Sequence, residues 1–183
     1  MRITIKVGII FALLWIIIKM FFFYTETFKY NVVPSVFINI LCLLLAITVG
    51  LYKQKVKDTE SGNTLRDIKN SMLAGITYSI IVSLFIFFYY SKVDPEFNKH
   101  QIAELEVSVK KILNNPVKFE ELKNSNEALE IMTKEEIYNK KLEAGRGFYN
   151  PKSTMTISIL AMLLLTTMNS ILISLVLRKI IFR

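Results

Sequence analysis

Residues 73–90 read LAGITYSIIVSLFIFFYY. As a helix rising ~1.5 Å per residue, this stretch is long enough to cross the hydrocarbon core of a bilayer. Just before and within it, Ser71, Gly75, Ser79 and Ser83 recur every fourth residue. Four small side chains therefore lie along one ridge of the helix, while Ile, Leu and Phe cover the remaining surface. Small ridges of this kind let one membrane helix approach another closely. The chain then passes directly into SKVDPEF, residues 91–97. Pro95 cannot continue a helix arriving from the membrane but suits the first position of a new one. Asp94 and Glu96 flank it, where carboxylates favour the positive end of a helix dipole.

Three more apolar blocks accompany this one, at about 7–24, 32–52 and 153–177. With 52% hydrophobic residues and a mean hydropathy of +0.41, the 183-residue chain is too apolar for an ordinary soluble domain. The expected fold class is an all-α integral membrane protein. Four transmembrane helices (about 7–24, 32–52 and 71–90, then span four and a basic tail within 153–183) would carry a helical extracytoplasmic insert, 91–152, between the third and fourth. The first block begins as a secretory signal does, behind Arg2 and Lys6. It continues into KMFFFYTETF (19–28) with no small-residue cleavage pattern, so it reads as an uncleaved span. The loop Thr25–Asn31 permits only an antiparallel return, and Ser61-Gly62-Asn63 reads as a turn.

The insert holds 11 basic and 11 acidic residues. Its pattern is helical: Ile102, Leu105, Val109 and Ile112 form a stripe that ends at Asn114-Asn115-Pro116. A weaker helix is expected over Phe119–Met132. Thr133 and Glu136 have capping-box spacing for a third, which Gly145 and Gly147 should close. Such thin stripes bury little area, so the insert is expected to rest on itself or on a partner.

The last block carries Thr166, Ser170 and Ser174, again spaced by four, with Asn169 beside them. Counting from the charged ends of antiparallel spans places Ser174 near Gly75, Ser170 near Ser79, and Thr166 near Ser83. Two intramembrane polar residues remain. Lys19 either extends its stem to the headgroups or bonds a neighbouring helix, for which Asn39, at a similar depth, offers an amide oxygen. The amino terminus, the 53–70 loop and the carboxyl terminus together hold ten Lys or Arg residues, against Lys29 alone in the 25–31 loop. By the positive-inside rule both termini are expected in the cytoplasm, with Tyr24, Tyr52, Tyr89 and Tyr90 at the interfaces.

Catalytic and cofactor chemistry is not indicated. There is no phosphate-binding loop and no paired histidines. The lone Cys42 lies in an apolar run far in sequence from His100, the single histidine. No metal, cofactor or catalytic residue is therefore expected. The charge of +8 flanks the apolar blocks and does not form a basic face interleaved with aromatics, so nucleic acid is not an expected partner. The four apolar spans carry no Asp or Glu, which disfavours an ion-coupled carrier.

The four spans, the run FYYSKVDPEF (88–97) and the terminal ILISLVLRK (171–179) resemble a Bacteroidota membrane family known only as a domain of unknown function, family 4199. The resemblance implies a bacterial inner-membrane location and supplies no activity. The expected role is a non-enzymatic subunit or accessory protein. It would pack through its small-residue ridges in the lipid bilayer and dock another membrane or periplasmic protein through the insert. The alternatives are a homo-oligomeric carrier or channel around Lys19, Asn39 and Asn169, or, by the family resemblance alone, an accessory to a lipid-linked glycosyltransferase.

Overall fold

A computed structural model of the chain describes residues 2–58, 63–124, 129 and 131–180. Every regular element among these residues is helical. In order they are α1 (Ile3–Tyr24), α2 (Val33–Lys57), α3 (Thr64–Phe88), a π-helical turn (Tyr89–Val93), α4 (Pro95–Leu113), α5 (Pro116–Asn124), α6 (Lys134–Phe148) and α7 (Pro151–Ile180). Helices α1, α2 and α7, and α3 with its π turn, are long and apolar enough to cross a membrane. The chain is thus an all-helical, multi-pass membrane protein. The helices outrun their apolar blocks, α2 into Lys57 and α3 back to Thr64, because Lys, Arg and Gln are themselves good helix formers. Ser61 and Gly62 of the expected turn lie outside the described residues.

The chain divides into two units, Met1–Phe88 with Met155–Arg183, and Tyr89–Thr154. In the first, α1, α2 and α3 pack on one another. Small residues set their closeness: a Cβ on Gly8 would lie 2.6 Å from the carbonyl oxygen of Ala74, and one on Gly50 would lie 2.8 Å from the Ala74 Cβ. Three helices therefore converge on one alanine. Around it Val7, Ala12, Leu43, Ala46, Ile47, Leu51 and Val82 are buried. Trp15 stands edge-on to Phe85, 6.0 Å between centroids, and its indole N–H donates to the Ser35 carbonyl at 3.3 Å. Ile10, Ile17, Phe37, Leu41, Leu84, Leu160 and Leu164 point outward, as suits side chains that meet lipid.

The second unit begins with the π turn, closed by the Asp94 amide donating to the Tyr89 carbonyl at 2.8 Å. Asp94 then caps α4, accepting from the Phe97 amide at 3.1 Å, with Pro95 at the first helical position. Glu96 is exposed and pairs with Lys99 at 2.8 Å. Tyr89 and Tyr90 lie near the end of the third candidate span. Both are buried, stacked edge to face at 5.1 Å, with the Tyr89 hydroxyl 3.3 Å from Asp94 and the Tyr90 ring 5.2 Å from Phe97. The wider π turn aims their rings differently from a continuous α-helix.

Val109, Leu113, Leu129 and Ile137 form a small core here, with Leu105, Phe119, Leu122, Met132 and Tyr138 packed against it. The second helix starts earlier than expected. Asn114 caps the end of α4 and Asn115 the start of α5, its side chain accepting from the amides of Val117 and Lys118 at 3.1 and 3.2 Å. Residues 125–128 and 130 of the expected Phe119–Met132 helix lie outside the described set. Thr133 and Glu136 form a full capping box at the start of α6. Gly145 and Gly147 do not close that helix, which runs through both to Phe148. Gly145 is instead a contact point, because a Cβ there would collide with the Leu105 side chain.

On the same unit, Lys110 at 2.6 Å and the Tyr138 hydroxyl at 2.9 Å hold the Glu106 carboxyl below the ordinary carboxylate range. A carboxyl depressed on folding stabilises the fold above its unfolded pKa, and that contribution is lost as pH falls through the lowered value. Substituting Lys110→Met should raise the Glu106 titration midpoint, followed by carbon NMR of the side-chain carboxyl. An unmoved midpoint would show that Lys110 is not the cause.

Candidate functional site

The first unit contains one continuous polar seam, between α3 and α7. On α3 it runs Ser71, Gly75, Ser79 and Ser83; on α7 it runs Thr166, Ser170 and Ser174. All are buried, and the six hydroxyl-bearing residues are at most 1% exposed inside helices whose other faces are open. Ser71 donates to the Ile68 carbonyl at 2.9 Å, and its oxygen lies 3.1 Å from that of Ser174. Ser79 donates to the Gly75 carbonyl at 2.8 Å and approaches Thr166 Oγ1 at 3.4 Å. Gly75 leaves the space that Thr166 fills: a Cβ on it would lie 2.5 Å from Thr166 Cγ2. The hydroxyls of Ser83, Ser170 and Thr4 are buried without a hydrogen-bond partner.

The register differs from the sequence expectation by one helical turn. Ser174 faces Ser71 where Gly75 was expected, and Thr166 lies against Gly75 and Ser79 where Ser83 was expected. The cause is at the charged end of the seam. Stepping four residues back from Ser71 reaches Asp67, and four residues on from Ser174 reaches Arg178. These two approach to 3.9 Å, and the Arg178 guanidinium donates to Thr64 Oγ1 at 2.7 Å. Each small-residue ridge thus ends in a charge opposite to that of its partner. The charged ends and the Gly75–Thr166 packing share this one register.

Asp67 is the residue that the sequence reading missed. It is 2% exposed, inside α3, so the third span does hold a buried carboxylate. From α2, Lys55 Nζ reaches Asp67 Oδ2 at 2.9 Å, in a contact that is ionic and lacks the angle of a hydrogen bond. Asp67 therefore ties α2, α3 and α7 together. A buried ion of this sort is tolerated only when paired. The every-fourth spacing from Ser71 was the signal that could have found it.

The remaining polar candidates are engaged locally. The Tyr78 hydroxyl, on a fully buried ring, donates to Asn39 Oδ1 at 2.6 Å. The Asn39 amide oxygen thus bonds α3, and Lys19 is half-buried. Asn169 donates its amide to the Leu165 carbonyl of its own helix at 2.8 Å. The Tyr78→Phe change should cost about 0.6–1.5 kcal/mol, the range for one buried neutral hydrogen bond. Denaturant titration in micelles would measure it, and an unchanged midpoint would place the Tyr78–Asn39 bond outside the forces that hold the spans together. Among the described residues, no three His, Cys, Asp or Glu side chains converge as metal ligands would. Cys42 is a buried free thiol.

The model of the family described as Protein of unknown function (DUF4199) matches residues 6–179, and the chain belongs to that family. No curated protein and no solved structure matches it.

Proposed function

We propose that this family member is a non-enzymatic subunit or accessory protein of a bacterial inner membrane, with both termini in the cytoplasm and the α4–α6 unit outside it. One observation carries the reading. A connected set of polar side chains in the spans faces neighbouring helices: Ser71 to Ser174, Ser79 to Thr166, Tyr78 to Asn39, and Asp67 to Lys55 and Arg178. A carrier needs such groups along a shared aqueous path, whereas a scaffold hides them where helices touch. The orientation rests on the concentration of Lys and Arg in the short inner segments.

The α4–α6 unit is the part that docks a partner protein. It buries only a small core and leaves Val107, Val117 and Ile131 largely exposed. The test is purification of the full chain from its own locus in mild detergent, beside a Val107→Arg, Val117→Arg variant. The reading expects one protein in fixed proportion, lost from the variant although the chain itself still inserts and accumulates. Recovery of the chain alone, as a homo-oligomer, would overturn it and favour a carrier or channel.

A further inference from the structure

The α4–α6 insert is charge-balanced, so the whole formal charge of +8 belongs to the four-span unit. Within that unit the charge gathers at one end. The start of α1, the end of α2, the start of α3 and the end of α7 lie together there, because α1, α2 and α3 pack side by side and Arg178 of α7 bonds Thr64. Two acids are described at this end, and both are matched. Asp67 takes Lys55 and Arg178, and Asp58 takes Arg66 at 3.2 Å. Six exposed cations are left over: Arg2, Lys6, Lys53, Lys57, Lys69 and Lys179. Among the described residues, none of the six has an acidic partner.

Their neighbours indicate what they meet. Tyr52 precedes Lys53, Val56 precedes Lys57, and Ile180 follows Lys179. All three of these neighbours are exposed, Val56 at 62% and Ile180 at 72%. An acidic soluble protein would leave these apolar side chains in water. A lipid surface takes both at once, with acyl chains against Val56 and Ile180 and phosphates against the ammonium groups one residue away. Lysine stems are long enough to follow a headgroup while their charge stays solvated.

We propose that this basic end is a binding surface for anionic phospholipid headgroups. It selects phosphate-bearing lipids of net negative charge over zwitterionic ones. The surface does not depend on the docking role assigned to the α4–α6 unit, and its test leaves that role untouched.

The full chain would be placed in mixed micelles with equimolar phosphatidylglycerol and phosphatidylcholine, and retained lipids counted by native mass spectrometry. Preferential retention of phosphatidylglycerol is expected at low ionic strength, collapsing toward parity in concentrated salt. Substituting Lys53→Gln, Lys57→Gln, Lys69→Gln and Lys179→Gln one after another should weaken the preference, roughly fivefold for each lysine removed. Lys99→Gln, in an exposed pair on α4, should leave it unchanged. Equal retention of the two lipids, or a preference that survives the fourfold variant, would overturn the proposal. Free glycerol 3-phosphate separates the two sources of phosphate. Displacement of the lipid by it at millimolar concentration would assign the surface to a soluble phosphate and refute the lipid assignment.

Discussion

Leucine at position 75 should separate α3 from α7 and lower stability by about 1–3 kcal/mol or more, the usual cost of forcing extra carbons into a packed interior. The geometry leaves no alternative place for them. The first added carbon would already stand 2.5 Å from Thr166 Cγ2, 2.9 Å from Thr166 Oγ1 and 3.0 Å from Ile47 Cγ1. Threonine is β-branched and stiff in a helix, so Thr166 cannot rotate freely out of the way. The helices must move apart, and the Ser71–Ser174 and Ser79–Thr166 contacts lengthen with them. Ser79→Leu should act in the same direction, through a residue that is fully buried against α7. Leu84→Ala, at a position 59% exposed on the outer face of the same helix, is the control. It should move the denaturation midpoint little. If Gly75→Leu and Leu84→Ala have equal effects, the seam is not what holds these spans.

The Asp67→Ala change should cost more, about 3–5 kcal/mol, because it removes one member of a buried ion pair. Lys55 has a side chain only 13% exposed and meets Asp67 Oδ2 at 2.9 Å. Arg178 is partly open to solvent and keeps its bond to Thr64, so the loss falls chiefly on Lys55. Removing both partners of the pair, Asp67→Ala with Lys55→Met, should recover part of the stability, since the desolvated charges of the pair are then both gone. A double-mutant cycle on folding in micelles gives the coupling. Lys29→Ala, which breaks an exposed pair with Glu26, should fall within about 1 kcal/mol of the parent. An Asp67→Ala variant as stable as that control would mean that the ion pair does not clamp the three helices.

The four spans were legible because a bilayer demands long apolar runs, and few other structures produce them. The two ridges were legible for a similar reason: a spacing of four cannot place side chains anywhere but along one helical face. What remained hidden depended on charge. Reading the small-residue ridge from the apolar edge at Ser71 left Asp67 out of it, and the same choice slid the register by a turn. Both errors vanish once the every-fourth series is extended to Asp67 on one helix and Arg178 on the other. The inward turn of Tyr89 and Tyr90 could not be seen because nothing local in SKVDPEF distinguishes a π turn from an α-helix ending at proline. Gly145 misled for a different reason. A glycine near a helix end suggests a stop, but here it makes room for Leu105, a residue forty positions earlier in the chain.

The central claim is that the seam between α3 and α7 is closely packed and excludes water. Cysteine accessibility tests it most directly. In a Cys42→Ala background, Ser79→Cys and Thr166→Cys would be introduced separately and together, and membranes treated with a small water-soluble maleimide. Both single variants should resist labelling until the protein is denatured, and the pair should form an internal disulfide under mild oxidation, since the two native oxygens stand 3.4 Å apart. Rapid labelling of either position in the folded protein would place water along the seam, contradict the account and point to a conducting path between α3 and α7.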